Sequence, residues 1–127
     1  MEKKTADLSE YRLQKAQVTL KAARLMMNNE LYDSALNRLY YSVFYAANAL
    51  LVKNGVNVKS HEYVYNKFNE MFINTDLIPG KFGNLYNELY KKRQTVDYQD
   101  LFDFDYDTID HLFEPVEGFI KLIQTYV

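Results

Sequence analysis

The amino-acid sequence predicts an all-α protein, a four- to five-helix up-and-down antiparallel bundle. Apolar residues recur at helical spacing along most of the 127 residues, and only 4 Gly and 2 Pro interrupt them. The connections between periodic segments are short, which makes neighbouring helices antiparallel. A chain of this length fits one domain, residues 1–127, and buries about two-thirds of its unfolded surface. With 48% hydrophobic and 25% charged residues, the composition is that of a folded chain rather than a disordered one.

The first helix is expected from about Leu8 to Met27, where Leu13, Ala16, Leu20, Ala23 and Met27 form a 3-4-3-4 stripe. Asn28 and Asn29 then stop it, since Asn tolerates the left-handed C-terminal position and also caps a following helix. The second helix, about Leu31 to Asn54, ends at Gly55. Leu36, Leu39, Tyr40, Val43, Ala47 and Leu50 share one face, yet the opposite side carries Tyr41, Tyr45, Ala49 and Val52, with Arg38 and Asn48 alongside. A helix apolar on two sides is central in its bundle, buried in a dimer, or both. Tyr41, Tyr45, Arg38 and Asn48 are the residues expected at such a dimer interface.

Ser60 is an N-cap for a third helix striped by Val64, Phe68, Met71 and Phe72. Pro79-Gly80 separates it from a fourth, lined by Phe82, Leu85, Tyr86 and Leu89. Tyr98 to Asp107 reads as irregular and acidic. The last helix, about Thr108 to Tyr126, carries Pro115 and is expected to kink there.

The composition excludes several function classes. With no Cys there is no disulfide scaffold, thiolate metal site or Cys nucleophile. The net charge of −2 gives no bulk attraction to nucleic acid or anionic membranes. No run approaches the roughly 20 apolar residues of a membrane span, and no apolar run follows the first lysines, so a cytoplasmic protein is the expectation. A two-metal carboxylate centre needs Glu-x-x-His motifs, which are absent; no metal and no cofactor are expected. The six aspartates from Asp97 to Asp110 lack the glycine and terminal glutamate of a calcium loop. They read as a loop pinned by aromatics, with Asp105 or Asp107 capping the last helix. There are 12 Tyr, 8 Phe and no Trp, which implies a core of large rings or a tyrosine-rich interface.

One residue breaks the pattern. Stepping 100° per residue from Phe82, position 93 returns to within about 20° of the stripe centre. Arg93 therefore lies in the apolar face of the fourth helix, where an unpartnered guanidinium costs several kcal/mol. Asp97, four residues on, is its expected partner, with Tyr98 next to it. One reading is an Arg93–Asp97 clamp closing the helix onto the bundle. The other is a cleft in which Arg93 holds a phosphate, with Asp97 and Tyr98 orienting it. His61, at a helix start beside Ser60, is an ordinary capping histidine or a further phosphate contact.

Taken together, Leu31-Tyr-Asp-Ser-Ala-Leu-Asn-Arg-Leu-Tyr-Tyr-Ser-Val-Phe-Tyr-Ala-Ala-Asn-Ala-Leu-Leu51, Lys59-Ser-His61 and Arg93-Gln-Thr-Val-Asp-Tyr98 resemble the HEPN family, in its small single-domain prokaryotic branch. The resemblance spans about Leu25 to Tyr126. It implies a helical bundle that dimerises, a small nucleotidyltransferase partner and a toxin–antitoxin setting. It also implies, for many members, metal-independent RNA cleavage by an Arg-x(4–6)-His motif. There, His takes the 2′-hydroxyl proton and Arg stabilises the phosphate. Arg93 matches that arginine, but Tyr98, Gln99 and Asp100 fill the positions where the histidine would stand. A phenol with a pKa near 10 is a poor base at neutral pH. The expectation is thus a binding protein rather than an enzyme: a homodimeric, nucleotide- or RNA-phosphate-binding partner of a nucleotidyltransferase. The alternatives are an endoribonuclease using Arg93 with His61 or Tyr98, and a bundle whose role is purely structural.

Overall fold

The computed structural model describes the backbone of residues 2–98 and 104–127, and the side chains of residues 6–94 and 104–127. Among the described residues all regular structure is helical: α1 (Glu2–Asn28), α2 (Tyr32–Lys53), α3 (His61–Phe68), α4 (Gly80–Tyr98), α5 (Tyr106–Asp110) and α6 (Phe113–Tyr126). A π-helical turn, Asn69–Ile73, extends α3.

Helix α2 is the hub, packing against α1, α3, α4 and α6. Its residues from Ala35 to Leu51 are buried almost all the way round. The second apolar face noticed in the sequence is therefore covered largely by α1, within the same chain. Asn48 belongs to this buried set, so of the four residues expected at a dimer surface it is enclosed by its own chain. Tyr41 and Tyr45 remain half-exposed, and Arg38 is exposed.

The α1–α2 seam is built from small residues. Ser9, Ala16 and Ala23 recur every seven residues on α1, as do Ala35, Ser42 and Ala49 on α2, and all six are buried. Small side chains let the antiparallel backbones approach closely. The Ser9 hydroxyl then reaches the Ala49 carbonyl at 2.6 Å, and Ser42 reaches the Ala16 carbonyl at 3.0 Å. Each buried hydroxyl thus finds the acceptor it needs.

The turns follow from backbone hydrogen bonding. At the end of α1, the Leu31 N–H donates to the Met26 carbonyl and the Glu30 N–H to that of Met27. This pair of bonds requires a left-handed residue just past the helix. That residue is Glu30 (φ 60), rather than either asparagine; Asn29 instead donates its side-chain amide to the Leu25 carbonyl. The same pattern closes α2, where Gly55 (φ 79) supplies the left-handed position as expected. Ser60 caps α3, accepting from the Tyr63 N–H at 3.0 Å. At the π turn, a Cβ on Gly83 of α4 would lie 2.9 Å from an Ile73 methyl, so glycine there permits close helix contact.

The last segment departs from expectation. Instead of one helix kinked at Pro115, the chain forms α5, breaks at His111–Leu112 and restarts as α6. Pro115 falls in the first turn of α6, where its missing N–H has no intrahelical partner to lose. Tyr106 and Asp107, expected to be irregular, open α5. Asp105 caps it, accepting from the Thr108 N–H at 2.9 Å and from the Thr108 hydroxyl at 2.6 Å.

Candidate anion site on an aromatic platform

Three helices converge on a cluster of rings. From α2 come Tyr40, Tyr41 and Phe44; α3 contributes His61 and Tyr65; α4 contributes Tyr86 and Tyr90. Tyr40 is fully buried at the centre, with its ring centroid 5.2 Å from Tyr41, 6.5 Å from Tyr86 and 6.3 Å from Tyr90. Tyr65 stacks on Tyr90 at 4.5 Å and donates its hydroxyl to Asn87 at 2.7 Å. The high tyrosine content thus serves both roles considered: Tyr40 and Tyr86 are core, whereas Tyr41, Tyr45, Tyr65 and Tyr90 are half-buried around it.

Arg93 of α4 lies where the periodicity placed it, half-buried against this cluster. Its guanidinium carbon sits 5.0 Å from the Tyr40 ring centroid and 5.4 Å from that of Tyr41. Its Nη2 donates to the Tyr41 hydroxyl at 3.2 Å. The ring faces supply the electrostatic partner that the sequence required. They do not saturate it, because the Arg93 Nε is buried with no hydrogen-bond partner among the described residues. The Asp97 and Tyr98 side chains, expected as its companions, lie outside the described residues.

His61 joins the same cluster, which its position at a helix start did not reveal. Its ring stacks on Phe44 at 4.2 Å with planes 4° apart, and stands edge-on to Tyr41 at 5.5 Å. Its Nδ1 lies 2.9 Å from the Tyr40 hydroxyl. Tyr40 has no exposed surface, so its O–H must find an acceptor inside the protein, and Nδ1 is the one present. Burial raises the Tyr40 pKa, keeping the phenol a donor. Tyr40 therefore donates to Nδ1, and the proton of the neutral imidazole sits on Nε2. Burial, and secondarily the Arg93 charge, lower the His61 pKa, so the ring is neutral at pH 7.

The local chemistry is consequently that of two cationic or N–H donors on an aromatic floor: the unsatisfied Arg93 Nε and the His61 Nε2–H. Such a pair suits an oxyanion. It is poorly arranged for proton abstraction, since a base needs a bare ring nitrogen and Tyr40 occupies the one available. Tyr40, which sets the His61 ring together with Phe44, was legible only as a core residue of α2, and Phe44 was placed on neither face.

A large recess lies elsewhere. It measures about 1070 Å³ and runs between α4 and the α5–α6 junction, lined by Phe82, Glu88, His111, Pro115 and Lys121 among others. Two of its carboxylates are paired with lysines: Glu88 lies 3.5 Å from Lys92, and Glu117 3.4 Å from Lys121.

Fold and cluster together define a helical-bundle protein with an arginine and a histidine held on tyrosines. Comparison with known proteins narrows this further: the chain matches the HEPN domain over residues 9–126, and it belongs to that family. It is 33% identical over 118 residues to a UPF0332 protein of Thermotoga maritima, covering 93% of this chain and 89% of that one. It is 32% identical over 115 residues to a Methanocaldococcus jannaschii protein bearing the name "Putative toxin", covering 91% of this chain and 78% of that one. A second M. jannaschii protein so named is 35% identical over 83 residues, covering 65% of this chain and 62% of that one. No helix among the described residues is long and apolar enough to cross a membrane.

Proposed function

We propose that this protein binds the phosphate of a nucleotide or RNA at Arg93, as the homodimeric, regulatory half of a nucleotidyltransferase pair of the toxin–antitoxin type. The observation that carries the reading is the half-buried Arg93 guanidinium over the Tyr40 and Tyr41 rings, whose Nε has no hydrogen-bond partner among the described residues. Burying an arginine donor without an acceptor costs about 1–3 kcal/mol, which an incoming oxyanion recovers. The His61 Nε2–H is a second donor on the same platform, and Asp97 and Tyr98 complete the proposed site. The toxin names of two relatives favour the setting.

The test is equilibrium titration of the protein with AMP, ATP and a short oligoribonucleotide. A charge-assisted contact contributes about 1.5–3 kcal/mol, so Arg93→Ala should weaken binding by about 10- to 100-fold. His61→Ala should weaken it less, the His61 N–H being neutral. Absence of binding to all three probes, or binding indifferent to Arg93→Ala, overturns the proposal.

A second reading is favoured by one observation: His61 and Arg93 share the Tyr40 and Tyr41 rings, so the two groups of a metal-independent ribonuclease come together from different helices. In that case Tyr40 must surrender its hydrogen bond so that His61 can expose a lone pair. RNA cleavage abolished by both Arg93→Ala and His61→Ala would establish it; intact RNA after prolonged incubation would eliminate it.

A further inference from the structure

Three further cations, Arg12, Lys15 and Arg38, border the edge of α2 that carries Tyr41 and Tyr45. Lys15 holds its Nζ 4.8 Å from the Tyr45 ring centroid and 6.0 Å from that of Tyr11. The Arg12 guanidinium carbon is 5.8 Å from the Tyr11 centroid. Arg12 stands one turn back from Lys15, and Asn48 one turn on from Tyr45, so the antiparallel register sets Arg12 level with Asn48. The Tyr45 and Tyr41 centroids are 5.9 Å apart, and Tyr41 carries Arg93. Arg38, exposed, lies three residues before Tyr41. A line of cations and rings thus runs from α1, across the edge of α2, to Arg93 and His61.

The charges on this line are open to an anion. Among the described residues, none of Arg12, Lys15, Arg38 and Arg93 is in an ion pair; the lysines and arginines that are paired, Arg24, Lys67, Lys92 and Lys121, lie elsewhere. A ring face attracts a cation without neutralising it, so its N–H donors stay available to a phosphate. The carboxylates of α1 nearest in sequence, Asp7 and Glu10, are about 140° and 160° round the helix from Arg12. Lys59 and Glu62 flank His61 at the other end, and the Lys3, Lys4 and Asp97 side chains lie outside the described residues. The α1 end is also chemically incomplete. The Arg12 Nε and the Asn48 Oδ1, a donor and an acceptor, are both buried without a hydrogen-bond partner among the described residues.

We infer that Arg12 and Lys15 form a second phosphate subsite, and that the ligand is a single strand of nucleic acid running from Arg93 past Tyr41 and Tyr45 onto α1. The inference rests on phosphate binding by Arg93 and extends it. One phosphate seated at Arg93 leaves Lys15 and Arg12 unmet, since a further ring stands between them; later phosphates of the same strand reach them. Phosphate contacts carry no base code, and bases stack on tyrosines whatever their identity. The strand is therefore selected by its length and charge, with little regard to sequence.

Titrating the full chain with AMP and with oligoadenylates of two, four and six nucleotides separates the two subsites. Affinity should rise at least tenfold from AMP to the tetramer. For the tetramer, the plot of log Kd against log salt should lose about 0.7 of slope in Lys15→Ala, and about 0.7 more when Arg12→Ala is added. AMP affinity should not change in either variant. An oligodeoxyadenylate of the same length tests whether ribose contributes, and Lys15→Ala should weaken both strands alike. Lys21→Ala removes the same charge from the side of α1 opposite Arg12, and should leave the tetramer's affinity and slope as they are. Should the Arg12 variant fail to fold by circular dichroism, Lys15→Ala and Arg38→Ala carry the test. A tetramer that binds no tighter than AMP overturns the inference, leaves phosphate binding by Arg93 standing, and gives the basic line to an acidic protein instead. A tetramer weakened as much by Lys21→Ala as by Lys15→Ala overturns it too, since the attraction is then diffuse. Failure of every probe to bind removes both subsites together.

Discussion

Tyr86 lies fully buried among Tyr40, Tyr65, Phe68 and Phe119, and its hydroxyl has no hydrogen-bond partner among the described residues. Burial drives its pKa far above the ordinary phenol value, so it stays protonated and carries an unused donor in the core. Tyr86→Phe keeps the ring and removes the orphan. It should raise stability by about 1 kcal/mol, a few degrees in melting temperature. His61 gives a pH prediction of definite sign. Its pKa in the fold is below the ordinary value of 6.5, so the unfolded chain binds its proton more readily. Stability should therefore fall as pH is lowered through the histidine range, and His61→Gln should flatten that dependence in thermal melts from pH 7 to 5. Arg93 was locatable from periodicity alone, because a charge returning to a stripe is visible in one dimension. His61 was not, since the turn that brings it beneath Tyr40 leaves no mark in local spacing.

Among the elements, the α1–α2 hairpin depends on fit more than on bulk. Ala16 has no exposed surface, and its carbonyl receives the Ser42 hydroxyl. Ala16→Leu would force the helices apart and should cost about 1–3 kcal/mol or more in denaturant titrations. The turn joining the two helices holds Glu30 at φ 60, a conformation that costs a side-chain-bearing residue about 1–2 kcal/mol. Glu30→Gly should accordingly stabilise the protein by about 1 kcal/mol, measured as a shift in the urea midpoint. The expectation for this turn rested on residue type, and asparagine is the better left-handed former. What fixes the choice is the position at which the two reversed hydrogen bonds can close, and that position holds glutamate. Pro115 teaches the same lesson: its effect depends on distance from a helix start, which the acidic, aromatic approach to α5 and α6 obscured.

Across the whole molecule, the core is continuous from α1 through α2 to α6. Ile109, Leu112, Phe113, Val116, Phe119, Ile120 and Ile123 from the last two helices are all buried in it. Deleting residues 106–127 should thus abolish cooperative unfolding and lose near-ultraviolet circular dichroism, even where far-ultraviolet helicity survives. The bundle and most helix limits were readable because apolar residues recur at helical spacing in α1, α2, α4 and α6. Which chain covers the second face of α2 was not readable, since a hub helix and a dimer helix have the same one-dimensional pattern. In the fold α1 covers most of that face, and Tyr41 and Tyr45 lie at its edge. The aromatic platform also has an optical consequence. With 12 Tyr and no Trp, the protein's intrinsic emission comes from phenols alone, undiluted by indole. Tyr41 touches the Arg93 guanidinium, so an anion arriving there would change the quantum yield of a ring already in the protein and report its own occupancy without a label.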